Sequence, residues 1–312
     1  MSTGWTKVVI IGGAGGIGSS TAFNLLAGTG PYEVVLVDTR PKMIDSHVMD
    51  LENAVALAPR PHRVRGGTLD DAADADVVVL SAAVPLRLNS SRSVFLADNA
   101  AIVRDIVRPL RDASFGGVLL LLTNPVDPLL TWVHRQGWLP RRRLVGYTLN
   151  DSLRLRTGIG QALDAHPREV DAWTLGEHGE GQVPVYSRVE VAGRPIALDP
   201  AQRTAAQQYS DSWYARHVAL DSGRTSTWTT GLGAAHMVEA ITTGSRDVLP
   251  ASVVLDGEYG VTGAALTVPV RLSREGVAEV LEWELAPAEA DAMARAAARV
   301  DAAAAELDGL GA

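Results

Sequence analysis

The chain has 312 residues, 46% of them hydrophobic and 21% charged, with a formal net charge of -8. That length accommodates two domains with cores of their own, and the acidic balance argues against a nucleic-acid partner, which calls for a basic face. The absence of cysteine excludes disulfides, thiolate nucleophiles and cysteine-ligated metals, and it is compatible with the cytoplasm. Residues 1–6 show no basic region followed by an apolar run, so no signal peptide is expected. Short, continuous apolar runs follow at residues 8–11, 34–37, 77–80 and 118–122, as expected of parallel strands covered on both faces. Helical patterns at 17–27, 43–58 and 93–111 separate them. Even the run at 118–122 is far too short to cross a bilayer, so a soluble, cytoplasmic protein without a membrane partner is expected. The basic clusters at 60–65 and 141–143 read as solvated loop and helix-end residues.

The second half changes character near residues 145–148. It reads as a helix at 151–163, strand-like segments around 170–175 and 183–191, helices at 201–219 and 231–243, and antiparallel strands at 248–255 and 265–269. A proline-initiated helix closes the chain at 287–307. The expected fold class is therefore α/β: a Rossmann doubly wound parallel sheet over residues 1–146, followed by an α+β substrate-binding and catalytic domain over 147–312.

Gly13-Ala14-Gly15-Gly16-Ile17-Gly18 fits G-x-G-x-x-G between a predicted strand and a predicted helix. Its glycines permit a tight turn, a close backbone approach to a pyrophosphate and close strand–helix packing, and the helix N-terminus favours the anion. Asp38, at the end of the next apolar run, can accept hydrogen bonds from the adenosine ribose hydroxyls and would repel a 2′-phosphate. These residues point to NAD rather than NADP, with Arg40 as the one residue that could accommodate phosphate.

Gly176-Glu177-His178-Gly179 places a histidine on a tight turn between glycines. Asp151 and Arg154 share one face of a predicted helix. With Arg92 they supply a proton carrier, a carboxylate to orient it and a guanidinium fork for a substrate carboxylate. The other histidines show no metal-ligand spacing, and no metal is expected.

Together with Asp50-Leu51, Asp76-Val77-Val78-Val79, Thr123-Asn124-Pro125-Val126-Asp127, Val183-Pro184 and Asp256-Gly257-Glu258-Tyr259-Gly260, these segments run in the order and spacing of one family. The chain resembles the lactate/malate dehydrogenases over nearly its whole length. The resemblance implies an NAD-dependent oxidoreductase that interconverts an L-2-hydroxy acid and its 2-oxo acid, working as a homodimer or homotetramer. His178 would carry the proton, Asp151 would orient it, and Arg92 would polarise the carbonyl. Arg154 would grip the substrate carboxylate and Asn124 would lie near nicotinamide and substrate. Either Thr225 or Ser226 would line the far wall. Gly13, Gly15, Gly16, Ile17, Gly18, Asp38, Ala82 and Asn99 would join Asn124 around the cofactor.

The chain departs from the family in the segment before Arg92. Malate enzymes place arginine, and lactate enzymes usually glutamine, at the position of Leu86. Leucine cannot pair with a second carboxylate, so an apolar substrate side chain is the simplest expectation. Arg87, next door, offers the alternative of an ordinary malate dehydrogenase, and a catalytically silent NAD-binding paralogue is another. Smaller departures are Asn150, where leucine is usual, and Glu180, where aspartate is usual.

Overall fold

A computed structural model describes residues 4–84, 92–222 and 224–310, with the backbone alone for 92–94 and 310. The chain alternates β1 (Thr6–Ile11), α1 (Gly16–Leu26), β2 (Tyr32–Val37), α2 (Pro41–Ala54), β3 (Arg63–Gly66), β4 (Val77–Leu80), α3 (Arg92–Asp112), β5 (Val118–Leu121), α4 (Val126–Arg135) and β6 (Leu144–Tyr147). These strands are parallel in the order β3-β2-β1-β4-β5-β6. That is the doubly wound arrangement, whose ligands bind where the strand order reverses, beyond the carboxyl ends of β1 and β4. Every residue of β4 and β5 is buried, which is why both read as unbroken apolar runs.

The second half contributes α5 (Leu149–Leu163), β7 (Val170–Asp171), β8 (Thr174–Gly176), β9 (Gln182–Pro184), β10 (Glu190–Val191), β11 (Arg194–Pro195), α6 (Pro200–Ala219), α7 (Thr227–Thr243), β12 (Leu249–Asp256), β13 (Thr262–Ser273), β14 (Gly276–Val280) and α8 (Pro287–Ala305). It does not form a separate sheet. β12 pairs antiparallel with β6, and β13, β8 and β9 continue outward, so one 11-stranded sheet runs through both halves of the described chain. A small sheet, β11-β10-β7, lies apart. The α6 start is set locally: Asp199 accepts from the Gln202 N–H at 2.8 Å and the Gln202 side chain returns the bond at 2.9 Å, a capping box followed by proline.

Elements absent from the sequence reading have physical reasons for being hard to see. α4 is only 10 residues long, with Pro125 at its N-cap and Pro128 in its first turn, so prolines that read as helix breakers mask it, although Val126–Val133 are all buried. β3 is an edge strand with only Val64 buried. This corrects the reading of residues 60–65 as a solvated loop: Arg65 spans Glu33 at 2.9 Å and Asp71 at 2.7 Å. The cluster at 141–143 is likewise structural, since Arg141 donates to the Val254 carbonyl at 3.0 Å and Arg143 to the Gly117 carbonyl at 3.2 Å.

Candidate active site

The glycine-rich turn joins β1 to α1. A Cβ on Gly18 would stand 2.4 Å from the Gly12 carbonyl oxygen, so only glycine lets α1 pack this closely onto the strand end. A side chain at Gly15 would meet nothing but that same oxygen, at 3.2 Å, leaving the space outside the turn open to a phosphate group at the N-terminus of α1. Asp38 ends the neighbouring strand. Its Oδ2 accepts from the Ala14 N–H at 3.1 Å, and its Oδ1 accepts from Arg40 N at 3.1 Å and Nε at 3.3 Å. Arg40 is therefore drawn to the carboxylate that would exclude a 2′-phosphate. The turn, the carboxylate and the open space fit a dinucleotide.

The floor of the cleft is laced by side chains beyond the ends of β4 and β5. Thr123 donates its hydroxyl to the Ala82 carbonyl at 2.8 Å. Asn99 is fully buried, with Oδ1 accepting from the Val84 N–H at 2.9 Å and Nδ2 donating to the Asn124 carbonyl at 2.8 Å. Its carboxamide thus ties two loops of the cofactor side together. Asn124 itself is exposed and is joined to Pro125 by a cis peptide bond.

At the far side of the sheet, His178 follows β8 on a loop begun by Gly176, whose φ of 83° suits glycine. Asp151, in the first turn of α5, is buried, and its Oδ2 lies 2.5 Å from His178 Nδ1. Its other oxygen accepts from Arg154 Nη1 at 3.5 Å. Burial alone would depress the His178 pKa. The charge and hydrogen bond of Asp151, helped by the charge of Asp127, outweigh it and hold the imidazole above its ordinary value. Burial lowers the Arg154 pKa, against the pull of Asp151, and Arg154 Cζ sits over the Trp213 ring, 4.2 Å from its centroid.

Asp127 is a site residue that the sequence reading left without a role. It is wholly buried on α4, and its Oδ2 accepts the backbone N–H of His178 at 2.7 Å. Burial pushes its pKa up to about 6, against the lowering effects of Ser252 and His178. Ser252 lies close, yet neither its hydroxyl nor Asp127 Oδ1 reaches hydrogen-bond geometry. The signal in the sequence was Asp127's place three residues after Asn124. What it binds is set by long-range packing.

Both noted departures acquire partners. Asn150 Oδ1 accepts from the Tyr147 hydroxyl at 2.7 Å, and its Nδ2 donates to Thr230 Oγ1 at 2.9 Å and Ser226 Oγ at 3.5 Å. It joins the start of α5 to the start of α7. The longer arm of Glu180 meets Arg299 Nη2 at 2.8 Å, while Arg299 Nε binds the buried Glu177 at 2.8 Å, so α8 holds the loop carrying His178. Of the far-wall candidates, Thr225 is exposed and Ser226 partly buried against Asn150. The neighbouring Thr227 hydroxyl comes within 3.1 Å of a Cβ placed on Gly16, joining α7 to the cofactor turn. Leu86 and Arg87 lie outside the described residues, as does the side chain of Arg92, whose backbone starts α3.

The comparisons with known proteins agree with this geometry. The sequence profile of the lactate/malate dehydrogenase NAD binding domain matches residues 6–146, and that of the family's alpha/beta C-terminal domain matches residues 148–307. The chain is 37% identical to a malate dehydrogenase of Halobacterium salinarum over 300 residues, 95% of this chain and 98% of that one. It is 34% identical to an L-lactate dehydrogenase of Bacillus cereus over 293 residues, 91% and 93% of the two chains. Among solved structures, the minor L-lactate dehydrogenase of Enterococcus mundtii superposes with a TM-score of 0.89 at 28% identity, covering 97% of this chain and 98% of that one. The malate dehydrogenase of Salinibacter ruber gives 0.87 at 29%, with 97% and 98% covered. Relatives of both kinds thus align from the glycine turn to α8, and the chain belongs to the lactate/malate dehydrogenase family.

Proposed function

We propose that His178, Asp151, Arg154 and Arg92 carry the chemistry of this dehydrogenase, an NAD-dependent oxidoreductase that interconverts an L-2-hydroxy acid and its 2-oxo acid. The observation that carries the assignment is the buried Asp151 carboxylate, bonded to His178 Nδ1 at 2.5 Å and facing Arg154 at 3.5 Å. With Nδ1 occupied, Nε2 is the nitrogen that takes the hydroxyl proton during oxidation and returns it during reduction. Asp151 fixes the ring's orientation and stabilises its charged form. Arg154 presents its guanidinium to the substrate carboxylate, and Arg92 stabilises the negative charge that grows on the reacting oxygen. When bound, the coenzyme would supply the hydride chemistry: NADH would donate hydride to the carbon bearing that oxygen in reduction, and NAD would accept it in oxidation. Gly13, Gly15, Gly16, Ile17 and Gly18 hold its pyrophosphate, Asp38 its adenosine ribose, and Ala82 and Asn124 line its nicotinamide side. Asn99 acts there through the loops it ties, and Ser226 or Thr225 closes the far wall. The division between residues 146 and 147 falls at the last residue of β6, separating the cofactor half from the catalytic half. A cytoplasmic location follows from the demand for a pool of NAD and NADH.

Leu86 favours a 2-oxo acid with an apolar side chain. The purified protein is incubated with NADH and oxaloacetate, pyruvate, branched-chain or aromatic 2-oxo acids, and NADH oxidation is followed by absorbance. Preferential reduction of an apolar substrate is expected. Efficient reduction of oxaloacetate alone assigns the second carboxylate to Arg87, and NADH binding without any turnover refutes the catalytic roles.

The assembly is proposed to be a homo-oligomer built on the face of α1, α2 and α7. Phe23, Trp228 and Leu232, which line one cleft between these helices, are 59%, 70% and 62% exposed, and Met49 on α2 is 68% exposed, more large apolar surface than monomers usually leave in water. Light scattering after size exclusion tests this, with a monomeric mass as the refuting result.

A further inference from the structure

Arg154 belongs to a helix face built to meet α6. On α5, Arg154 and Gly158 lie one turn apart. On α6, Ala206, Tyr209, Trp213 and His217 recur at helical spacing and form one stripe. The two faces meet where glycine permits: a Cβ on Gly158 would stand 2.8 Å from the Ala206 carbonyl oxygen and 3.2 Å from Tyr209 Cβ. Farther along the contact, the Trp213 ring lies 4.2 Å from Arg154 Cζ, centroid to atom. His217 stacks on Trp213 with ring centroids 5.0 Å apart and planes 12° from parallel. Its Nε2 donates to the Arg224 carbonyl at 2.9 Å, at the start of the segment carrying Thr225 and Ser226.

We infer that Trp213, backed by His217, is a positioning residue for the substrate-carboxylate grip of Arg154. The inference rests on the dehydrogenase reading above. A guanidinium that must bind a carboxylate has to stay desolvated, oriented and fully charged. Among the described residues its one ion pair is the 3.5 Å contact to Asp151, whose charge also serves His178. A second acidic neighbour would hold Arg154 in place but cancel the charge that attracts substrate. The indole holds the cation through its π-electrons while adding no net charge, and this attraction gains strength away from water. His217 in turn holds Trp213 and, through the Arg224 carbonyl, couples the segment before α7 to the carboxylate grip.

The test uses the full-length enzyme, NADH and whichever 2-oxo acid the wild type reduces best. Trp213→Leu is expected to raise KM for the 2-oxo acid about tenfold, change kcat less than about threefold and leave the NADH Kd unaltered. Trp213→Phe, which keeps a π face, restores most of the loss. A folded Trp213→Leu enzyme with KM within about twofold of wild type, or a Phe variant as impaired as the Leu variant, overturns the inference. Should Trp213→Leu fail to fold, His217→Ala decides: it is expected to raise KM about threefold with kcat retained, and an unchanged KM overturns the inference. A wild type that reduces no 2-oxo acid refutes the dehydrogenase reading and this inference with it. An active wild type with unaltered variants refutes the Trp213 assignment alone.

Discussion

Asp151 Oδ2 lies 2.5 Å from His178 Nδ1, across a tertiary contact between the first turn of α5 and the loop after β8. The carboxylate raises the imidazole pKa against the opposing effect of burial. In the proposed reaction reduction needs the protonated ring, so this raised pKa should extend reductive activity to higher pH, with activity lost as pH rises through it. Asp151→Asn is expected to cut the reductive kcat by about 10²–10⁴-fold and to move the alkaline limb of kcat/KM to lower pH. The raised pKa also contributes stability that is present below the ordinary histidine value of about 6.5 and lost as pH rises through the folded-state value. Urea titrations at several pH values should find this stability missing in the variant.

Asp127 supports the same histidine from behind, through its backbone N–H. Asp127→Asn keeps an acceptor for that N–H but removes the charge, so the alkaline limb should shift acidward by less than in Asp151→Asn. The Asp127 pKa is pushed up from 3.8 to about 6, so the native carboxylate costs stability as pH rises through that window. The Asn variant should show a flatter stability profile there. Asp127→Ala leaves the N–H without its partner and is expected to destabilise by about 1–3 kcal/mol.

In the proposed function coenzyme choice depends on Asp38, which also engages Arg40. Asp38→Ser removes the acceptor and releases the guanidinium. Expected is a loss of about tenfold to a hundredfold in kcat/KM for NADH together with a gain for NADPH. An unchanged NADH to NADPH ratio would remove Asp38 from the cofactor site.

Asn150→Leu restores the residue usual in the family and disconnects α5 from α7. The Tyr147 hydroxyl keeps the Thr229 carbonyl as an acceptor at 3.2 Å, while Thr230 loses its donor. A destabilisation of roughly 1–2 kcal/mol is expected in urea unfolding. A neutral result would mean that the packing of leucine fully replaces these bonds.

Sequence and structure agree most closely where the information is local. The parallel strands were legible because burial on both faces makes them continuous apolar runs, and the cofactor turn because glycine is required at each close approach. The order of motifs was enough to place Asp151, Arg154 and His178 in one site. β3 and α4 were not legible, one being a half-exposed edge strand of four residues and the other a short helix with prolines at its start. In β3 exposure removes the apolar run, and in α4 the prolines read as a break. The Asn150 departure was visible, but its reason was not, since its partners come from α7.

The residue types of the proposed site were thus legible in the sequence alone: a histidine between glycines, an aspartate and arginine one helical turn apart, and a carboxylate after a glycine-rich turn. Only the tertiary structure decided what surrounds them. Asp127 reaches the His178 backbone, Arg40 is held by Asp38, and Trp213 meets Arg154 because the packing of whole helices and strands brings together residues far apart in the chain. Spacing along a chain encodes which face of an element a residue occupies. The partner of that face is chosen by close packing, which no local pattern records.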